Sequence, residues 1–326
     1  MQFLENPLRI KLTGRCNKSC EFCHEEGDMK GIEDLVYTKQ LGDIINELHK
    51  DLGINSIAFT GGEPLLHDGL CEIISHINLN TNVCKFSLTT NGTIPKNSEY
   101  WSQLFSLGLY KVNISMPGIP EDEESLLSDK YIKDIFEIQS QTIGFLNKIG
   151  IERPKINIVV FNDVLFTKSN LSKLLNFRDE LNSELVLLPD LRNQEKFDYS
   201  QTIINELRKD MRLRKIDEKR NHGTSNTTEK YCYADDGKES NIIFIKSTKM
   251  QDGNPYRLES ICEKCPKKIK KTICQEGFYG IRLEQINSCY YIRLCIHKNT
   301  SDVLMKYKDF TESKVYKEIK SLWELN

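Results

Sequence analysis

Short apolar runs alternate with amphipathic stretches over the first 190 residues. Six runs have the length and composition of buried strands: Leu8–Leu12, Ser56–Thr60, Lys85–Thr89, Lys111–Ser115, Lys155–Val160 and Glu184–Leu188. Between the first two, apolar residues recur at the spacing of one helix face, at Leu41, Ile44, Ile45, Leu48 and Leu52. Strands that alternate with helices predict βαβ units, a parallel sheet and an α/β fold.

The pattern divides the chain into three parts. Similar helices are predicted over Ile132–Lys148 and Asn170–Asn182, which completes an α/β domain over residues 1–190. Residues 191–230 are polar, with a helical stretch around Tyr199–Arg214 and a loop-forming segment Asn221–Thr228, and we interpret them as a connecting helix and linker. Residues 231–326 contain six of the eleven cysteines and form a separate small domain in this interpretation.

Composition narrows the function classes. The chain has 326 residues and a formal net charge of −2, so the charge balance does not indicate binding to nucleic acid or to an anionic membrane. It has no apolar run near the ~20 residues of a membrane span and no signal-peptide pattern, so we expect a cytoplasmic protein. Because that compartment keeps thiols reduced, the clustered cysteines favour metal binding over disulfides.

Three cysteines follow the first predicted strand in a C-x3-C-x2-C pattern: Cys16, Cys20 and Cys23. Three thiolates suit an iron–sulfur cluster that leaves one iron open to another ligand. A structural zinc site is the alternative, but it needs a fourth ligand, and His24 is poorly placed to provide it. Because the loop follows a strand, it lies at the carboxyl edge of the sheet, where active sites of such folds occur.

Small polar motifs follow the next strands. Gly61, Gly62 and Glu63 come after the second strand, where paired glycines permit close approach of a ligand and the carboxylate can bind an ammonium group. Thr90 and Asn91 end the third strand, and the fourth ends at its own small polar residue, Ser115. Each motif alone is also compatible with ordinary turn chemistry.

In this order the motifs resemble the radical S-adenosylmethionine (SAM) superfamily, and Phe22 before the third cysteine fits that resemblance. Leu8–Thr13, Cys23–Gly27 and Leu187–Pro189 are similar to the GTP 3′,8-cyclase branch of molybdenum-cofactor biosynthesis. The resemblance implies a partial (β/α)6 barrel and a [4Fe-4S] cluster on Cys16, Cys20 and Cys23.

The same resemblance implies a reaction and its partners. The open iron would chelate SAM, whose reductive cleavage gives a 5′-deoxyadenosyl radical that removes a hydrogen atom from the substrate. The SAM-contacting residues would be Phe22, Gly61, Gly62, Glu63, Thr90, Asn91 and Ser115. A one-electron donor such as flavodoxin or ferredoxin is implied as a partner, with a small molecule or peptide as substrate and no membrane or nucleic acid polymer.

A second cysteine group occupies the last third: Cys262, Cys265, Cys274 and Cys295. A C-x2-C pair joined by further cysteines favours an auxiliary iron–sulfur cluster, with zinc as the alternative. The segment resembles the Twitch or SPASM-like domains of radical SAM enzymes. Its insertion, Pro266–Gly280, includes Cys274, and a fourth thiolate would close the auxiliary cluster to substrate. The C-terminus also lacks the paired glycines of the cyclases.

Three functions are compatible with these motifs. The insertion favours tailoring of a ribosomal peptide or small metabolite, and the barrel motifs favour the alternative, cyclisation of GTP. The third is a non-catalytic iron–sulfur or zinc protein, which Gly61–Pro64 argues against. Arg15 and Arg282 are candidate substrate clamps, or else ordinary surface arginines.

The remaining cysteines have simpler interpretations. Cys232 and Cys289 are expected to be structural thiols, although a thiol beside a carbon radical can also donate a hydrogen atom. Cys71 and Cys84 are predicted to lie in the core.

Overall fold

The computed structural model describes most of the chain. The described residues are 6–20, 23, 33–116, 130–151, 154–160, 175–176, 178–191, 193–209, 213–220, 224, 227–235, 238–248, 255–263, 265, 274, 277–295 and 303–324. Phe22, His24 and most of the insertion therefore lie outside the described residues, as does much of the predicted helix Asn170–Asn182.

Six parallel strands form the first half of the sheet. They are β1 (Pro7–Lys11), β2 (Ser56–Thr60), β3 (Phe86–Thr90), β4 (Leu109–Ser115), β5 (Lys155–Val160) and β6 (Glu184–Pro189). Each pairs in parallel with the next along the chain. The sheet does not close on itself, so the prediction of a partial (β/α)6 barrel is confirmed.

Helices connect these strands: α1 (Lys39–Leu52), α2 (Leu70–Asn80), α3 (Ser98–Ser106) and α4 (Lys130–Lys148). The α1 helix begins after Thr38, whose hydroxyl accepts a hydrogen bond from the Leu41 amide, and ends at Gly53 in the left-handed conformation. Its predicted apolar face is buried at Leu41, Ile44, Ile45, Leu48 and Leu52. This face packs in the same core as Leu8 and Ile10 of β1.

The second half of the chain extends the same sheet. After α5 (Gln194–Arg208) come β7 (Leu213–Arg220), β8 (Thr227–Asp235) and β9 (Lys238–Ser247), and after α6 (Glu259–Cys262) come β10 (Arg282–Ile286), β11 (Cys289–Arg293), β12 (Leu304–Lys306), α7 (Tyr307–Glu312) and α8 (Lys314–Glu324). The order is β12-β11-β10-β1-β2-β3-β4-β5-β6-β9-β8-β7. Both β9 and β10 pair in parallel with strands of the barrel.

Two local predictions need correction. The helix expected around Tyr199–Arg214 ends at Arg208, and Leu213–Arg220 is a strand, although it was assigned to the linker. This strand, β7, is the last in the sheet and its side chains are largely charged, so it lacks the apolar run of a buried strand. The division of the chain into three parts remains a prediction.

None of the helices in the described residues has the length and hydropathy needed to cross a membrane.

Candidate active site

The three N-terminal cysteines lie on the loop that leaves the carboxyl end of β1. Cys16, Cys20 and Cys23 are exposed, and the Cys23 amide donates to the Cys20 carbonyl at 3.0 Å. In the described residues no three His, Cys, Asp or Glu side chains converge closely enough to hold one metal ion. The fit to a cluster with one open iron therefore rests on the chemistry of the donor set, three accessible thiols on one loop.

Neighbouring thiols influence the ionisation of two of these cysteines. Desolvation by the loop raises the pKa of Cys16 and of Cys20, and the charge of Cys23 raises both further. The thiolate forms are therefore unfavourable in the free protein, and a bound cation would stabilise them.

Gly61 and Gly62 pack directly against the cysteine loop. The Gly62 amide donates to the Thr13 carbonyl at 2.9 Å, and the Glu63 amide donates to the Arg15 carbonyl at 2.7 Å. A Cβ atom on Gly62 would lie 2.1 Å from the Arg15 carbonyl oxygen, and one on Gly61 would lie 2.6 Å from that of Thr13. The close approach of the protein's own backbone therefore requires both glycines. The paired glycines had predicted the close approach of a ligand instead.

The Glu63 carboxylate is fully buried and joins two strand ends. Its Oε1 accepts hydrogen bonds from the Leu65 amide at 2.9 Å and the Thr90 hydroxyl at 2.5 Å, and its Oε2 accepts one from the Asn91 amide at 2.7 Å. Burial raises the pKa of Glu63, and the three hydrogen bonds oppose that shift.

A polar network continues from Asn91 to residues that the sequence analysis did not select. The Asn91 side chain donates to Asn17 Oδ1 at 2.9 Å and accepts from the Thr93 hydroxyl at 2.7 Å, while Asn17 donates to Thr93 at 2.9 Å. The buried Gln139 amide of α4 donates to the carbonyls of Asn91 at 2.6 Å and Ser115 at 3.2 Å. The predicted SAM-contacting residues Thr90, Asn91 and Ser115 are therefore held together with the cysteine loop.

Arg15 is engaged by its own chain. Its guanidinium pairs with Asp34 and donates to the Leu66 carbonyl at 2.9 Å. Partial burial opposes ionisation of Asp34, but hydrogen bonds from Arg15 and Thr13 lower the pKa of Asp34 overall. The contacts of Arg15 are those of a residue that fixes the cysteine loop, and its role in substrate binding remains a prediction.

One face of the sheet is rich in basic residues. Paired residues of adjacent strands share a face, and alternate residues along a strand face opposite sides. Leu8 and Ile10 pack in the core with the helices, so Arg9 and Lys11 face the barrel interior. Following the register from β1 to the strands around it places many basic residues on this interior face, among them Arg9, Lys11, Lys111, Lys155, Lys246, Arg282 and Arg293, together with the carboxylates Glu184 and Glu284.

Several of these cations lie close to one another. The guanidiniums of Arg9 and Arg282 lie 5.0 Å and 5.8 Å from the centroid of the Tyr279 ring. Arg282 is buried, so the alternative of a surface arginine is wrong for this residue. Burial, together with the positive charges of Arg9 and Lys155, lowers the pKa of Lys246 to about 8. Because β10 pairs with β1 and β9 pairs with β6, strands at both ends of the six-stranded sheet contribute to one positive region.

The interior also contains two ion pairs. Lys155 Nζ lies 2.6 Å from Glu184 Oε2, and buried Arg293 pairs with buried Glu284. Both Glu184 and Glu284 are therefore paired with a cation of the same face. Basic residues outnumber carboxylates among the residues named here, and such a surface favours an anionic ligand.

The C-terminal cysteines occupy separate segments of the chain, at and after the end of α6 and after β11. Cys262 ends α6 and is joined to Cys265 by a turn in which the Cys265 amide donates to the Cys262 carbonyl at 3.1 Å. Cys295 follows β11, and it packs with Cys262 against the common core. The sulfur of Cys274 accepts a hydrogen bond from the Gly277 amide at 3.3 Å.

The four remaining cysteines differ in their exposure, and Cys71 is half-buried against the core. Cys232 is buried on β8, whereas Cys289 is exposed at the start of β11. Cys84 is exposed ahead of β3, so its assignment to the core is wrong. The apolar residues around it suggested burial, but Cys84 precedes the strand that enters the core.

Comparisons with known proteins identify the family of this chain. The family model described as the radical SAM superfamily matches residues 10–179, more than half of the chain. This segment begins in β1 and extends through the cysteine loop and the strand ends described above.

Three similar curated proteins are named as GTP 3′,8-cyclases, two of them as probable ones. A protein named "Probable GTP 3′,8-cyclase" from Methanothermobacter thermautotrophicus is 33% identical over 159 residues, covering 48% of this chain and 49% of that protein. One of the same name from Methanococcus aeolicus is 31% identical over 206 residues, covering 63% and 66%. A "GTP 3′,8-cyclase" from Thermodesulfovibrio yellowstonii is 32% identical over 162 residues, covering 48% of each. The chain thus spans about half to two thirds of these relatives.

A solved structure extends the likeness in fold to nearly the whole chain. The structure of a histidine-tagged protein, described as "anSMEcpe with bound AdoMet", matches with a TM-score of 0.57 and 17% identity. The match covers 98% of this chain and 83% of that one. At this identity the likeness concerns the fold alone.

Proposed function

The chain belongs to the radical SAM superfamily, and on that premise we propose that this enzyme acts on an anionic nucleotide in a GTP 3′,8-cyclase type of cyclisation. The relatives named GTP 3′,8-cyclase support this choice. The observation that carries it is the basic interior of the barrel, since a nucleoside triphosphate is strongly anionic and a peptide need not be.

The cofactor residues of the proposal follow from the site. Cys16, Cys20 and Cys23 would hold a [4Fe-4S] cluster, and the strand ends bearing Gly61, Thr90, Asn91 and Ser115 would bind SAM. When bound, cluster and SAM supply reductive carbon–sulfur cleavage and a hydrogen-abstracting radical. A small one-electron carrier of the flavodoxin or ferredoxin type would reduce the cluster.

The residues of the chain would hold the triphosphate and orient the sugar toward SAM. Arg9 and Arg282 lie side by side on the paired strands β1 and β10, and Lys246 of β9 lies within the electrostatic influence of Arg9, so the three charges can act on one anion. The ring of Tyr279 stacks with both arginines and fixes them before the ligand binds, which lowers the ordering cost of binding. An anion would also relieve the repulsion that depresses the pKa of Lys246.

The test is an anaerobic assay of the reconstituted, reduced enzyme that scores 5′-deoxyadenosine with GTP, guanosine or no substrate. We expect GTP to increase the yield above the background without substrate and to form a cyclised nucleotide, while guanosine has no effect because it lacks phosphate. No binding of GTP to the reconstituted enzyme and no increase in 5′-deoxyadenosine would contradict the proposal.

Variants connect the assay to the basic face. Removing one charged contact to phosphate costs about 1.5–3 kcal/mol, so K246M and R9M should each raise the Kd for GTP roughly 10-fold to 100-fold. K50M removes an exposed lysine on α1 and should leave the affinity unchanged. Equal affinity in all four proteins would separate GTP binding from the interior cations.

A second candidate, tailoring of a ribosomal peptide or small metabolite, is favoured by Cys274. With Cys262, Cys265 and Cys295 it would give an auxiliary [4Fe-4S] cluster four thiolates and no open iron. Mössbauer spectra of the auxiliary cluster in wild type and C274S test this assignment. A unique iron site that appears only in C274S would support the closed cluster, whereas a unique site already present in wild type would support nucleotide contact.

A further inference from the structure

The Glu63 carboxylate lies beside the predicted SAM-contacting residues, yet its hydrogen bonds are made within the protein. Its side chain has no solvent exposure, although it follows β2 at the open edge of the sheet. Its three hydrogen bonds come from Leu65 on its own loop and from Thr90 and Asn91 at the end of β3. Every one of these donors belongs to the chain.

We propose that Glu63 is a positioning residue that fixes the end of β3 against the loop after β2, and that it does not itself bind the ammonium group of SAM. A carboxylate offers about four lone-pair sites, and three are used here by donors at 2.5–2.9 Å. One lone-pair site therefore remains, and a ligand ammonium would have to enter a fully buried space to reach it.

The positioning acts through Asn91 and Thr90. Glu63 holds the Asn91 amide, and the Asn91 side chain contacts Asn17 of the cysteine loop. The Thr90 hydroxyl, which donates to Glu63, accepts a hydrogen bond from the Gly92 amide at 2.9 Å. Loss of the carboxylate would therefore displace the strand end and the cysteine loop together.

The inference concerns the binding of SAM and rests on the superfamily assignment, so it holds for either proposed substrate. The test compares SAM with a deamino analogue that keeps the adenosine, sulfonium and carboxylate but lacks the α-amino group. Affinities of both ligands are measured by anaerobic equilibrium dialysis for the reconstituted wild type, E63Q and T90V, without substrate.

A positioning role predicts that E63Q weakens binding of both ligands by the same factor, roughly tenfold or more for a lost charge-assisted bond. An ammonium contact predicts that E63Q weakens SAM alone and leaves the analogue unchanged, which would overturn the proposal. Equal affinity of wild type and E63Q for both ligands would overturn it as well.

T90V keeps the carboxylate and removes one donor, so it provides the same discrimination if E63Q does not fold. We expect a parallel loss for SAM and the analogue in T90V, and a loss confined to SAM, or no loss, would contradict the positioning role. T81V makes the same substitution at the end of α2 and should change neither affinity. Iron content and circular dichroism of each variant separate a displaced site from an unfolded protein.

Discussion

Replacing Gly62 with alanine adds one methyl group at the tightest contact between the glycine pair and the cysteine loop. The new Cβ would lie 2.1 Å from the Arg15 carbonyl oxygen and 3.0 Å from Cys16 Cβ. Ordinary contact begins at 3.4 Å, so the Arg15 carbonyl must retreat by about 1.3 Å, the difference between the two distances. The hydrogen bonds from Gly62 to Thr13 and from Glu63 to Arg15 would stretch with it.

The cost follows from these contacts. Overpacking costs about 1–3 kcal/mol, and two weakened backbone hydrogen bonds add about 1 kcal/mol each. G62A should therefore lose roughly 3–5 kcal/mol, a large part of a typical stability of 5–15 kcal/mol. If the loop moves instead of the whole fold, the loss appears as iron that is no longer retained.

The assay is urea unfolding of the metal-free protein, with iron content after anaerobic reconstitution as a second readout. G144A is the matched control, because a Cβ there meets no atom within 4 Å and alanine is favoured over glycine in a helix interior. We expect G144A to match or exceed wild type in stability and to match it in iron. A G62A protein equal to wild type in both readouts would refute the argument.

Three further predictions follow from charge and packing. Because the pKa of Lys246 is about 8, affinity for GTP should fall as pH rises through 8 in the wild type and stay constant in K246M, and calorimetric titrations from pH 7 to 9 measure this. Because folding lowers the pKa of Asp34, the ionised carboxylate stabilises the fold above the ordinary carboxyl pKa, and this stabilisation is lost as pH falls through the pKa of the folded protein. D34N should therefore be less stable than wild type at pH 7 in urea unfolding, and the difference should shrink toward pH 3. Trp101 is fully buried, so W101A should cost about 3–5 kcal/mol in the same measurement, whereas L79A at an exposed position should cost under about 0.5 kcal/mol.

The first six strands could be predicted from sequence because burial on both faces leaves a local apolar pattern. Ser56–Thr60 and Lys155–Val160 match the observed strands residue for residue, and the others differ by one or two residues at their ends. The pairing of β9 with β6 and of β10 with β1 could not be predicted in this way, since parallel pairing between distant segments has no local signature.

The sequence motifs of the site could be predicted, but the residues that hold those motifs in place could not. Gln139 lies within the amphipathic pattern of α4, and its contacts with Asn91 and Ser115 require the folded geometry. The basic interior left a visible signal, because Arg9 and Lys155 interrupt otherwise apolar strands. That signal becomes interpretable only when the register shows that these residues share one face.

The central claim is that this chain is a radical SAM enzyme whose cluster is held by Cys16, Cys20 and Cys23. The most direct measurement is the 5′-deoxyadenosine formed from SAM by the reconstituted, reduced wild type and by the variant C16A/C20A/C23A, which retains the C-terminal cysteines. We expect the wild type to form 5′-deoxyadenosine and the variant to form none. Formation by both proteins, or by neither when the wild type is fully loaded with iron, would contradict it.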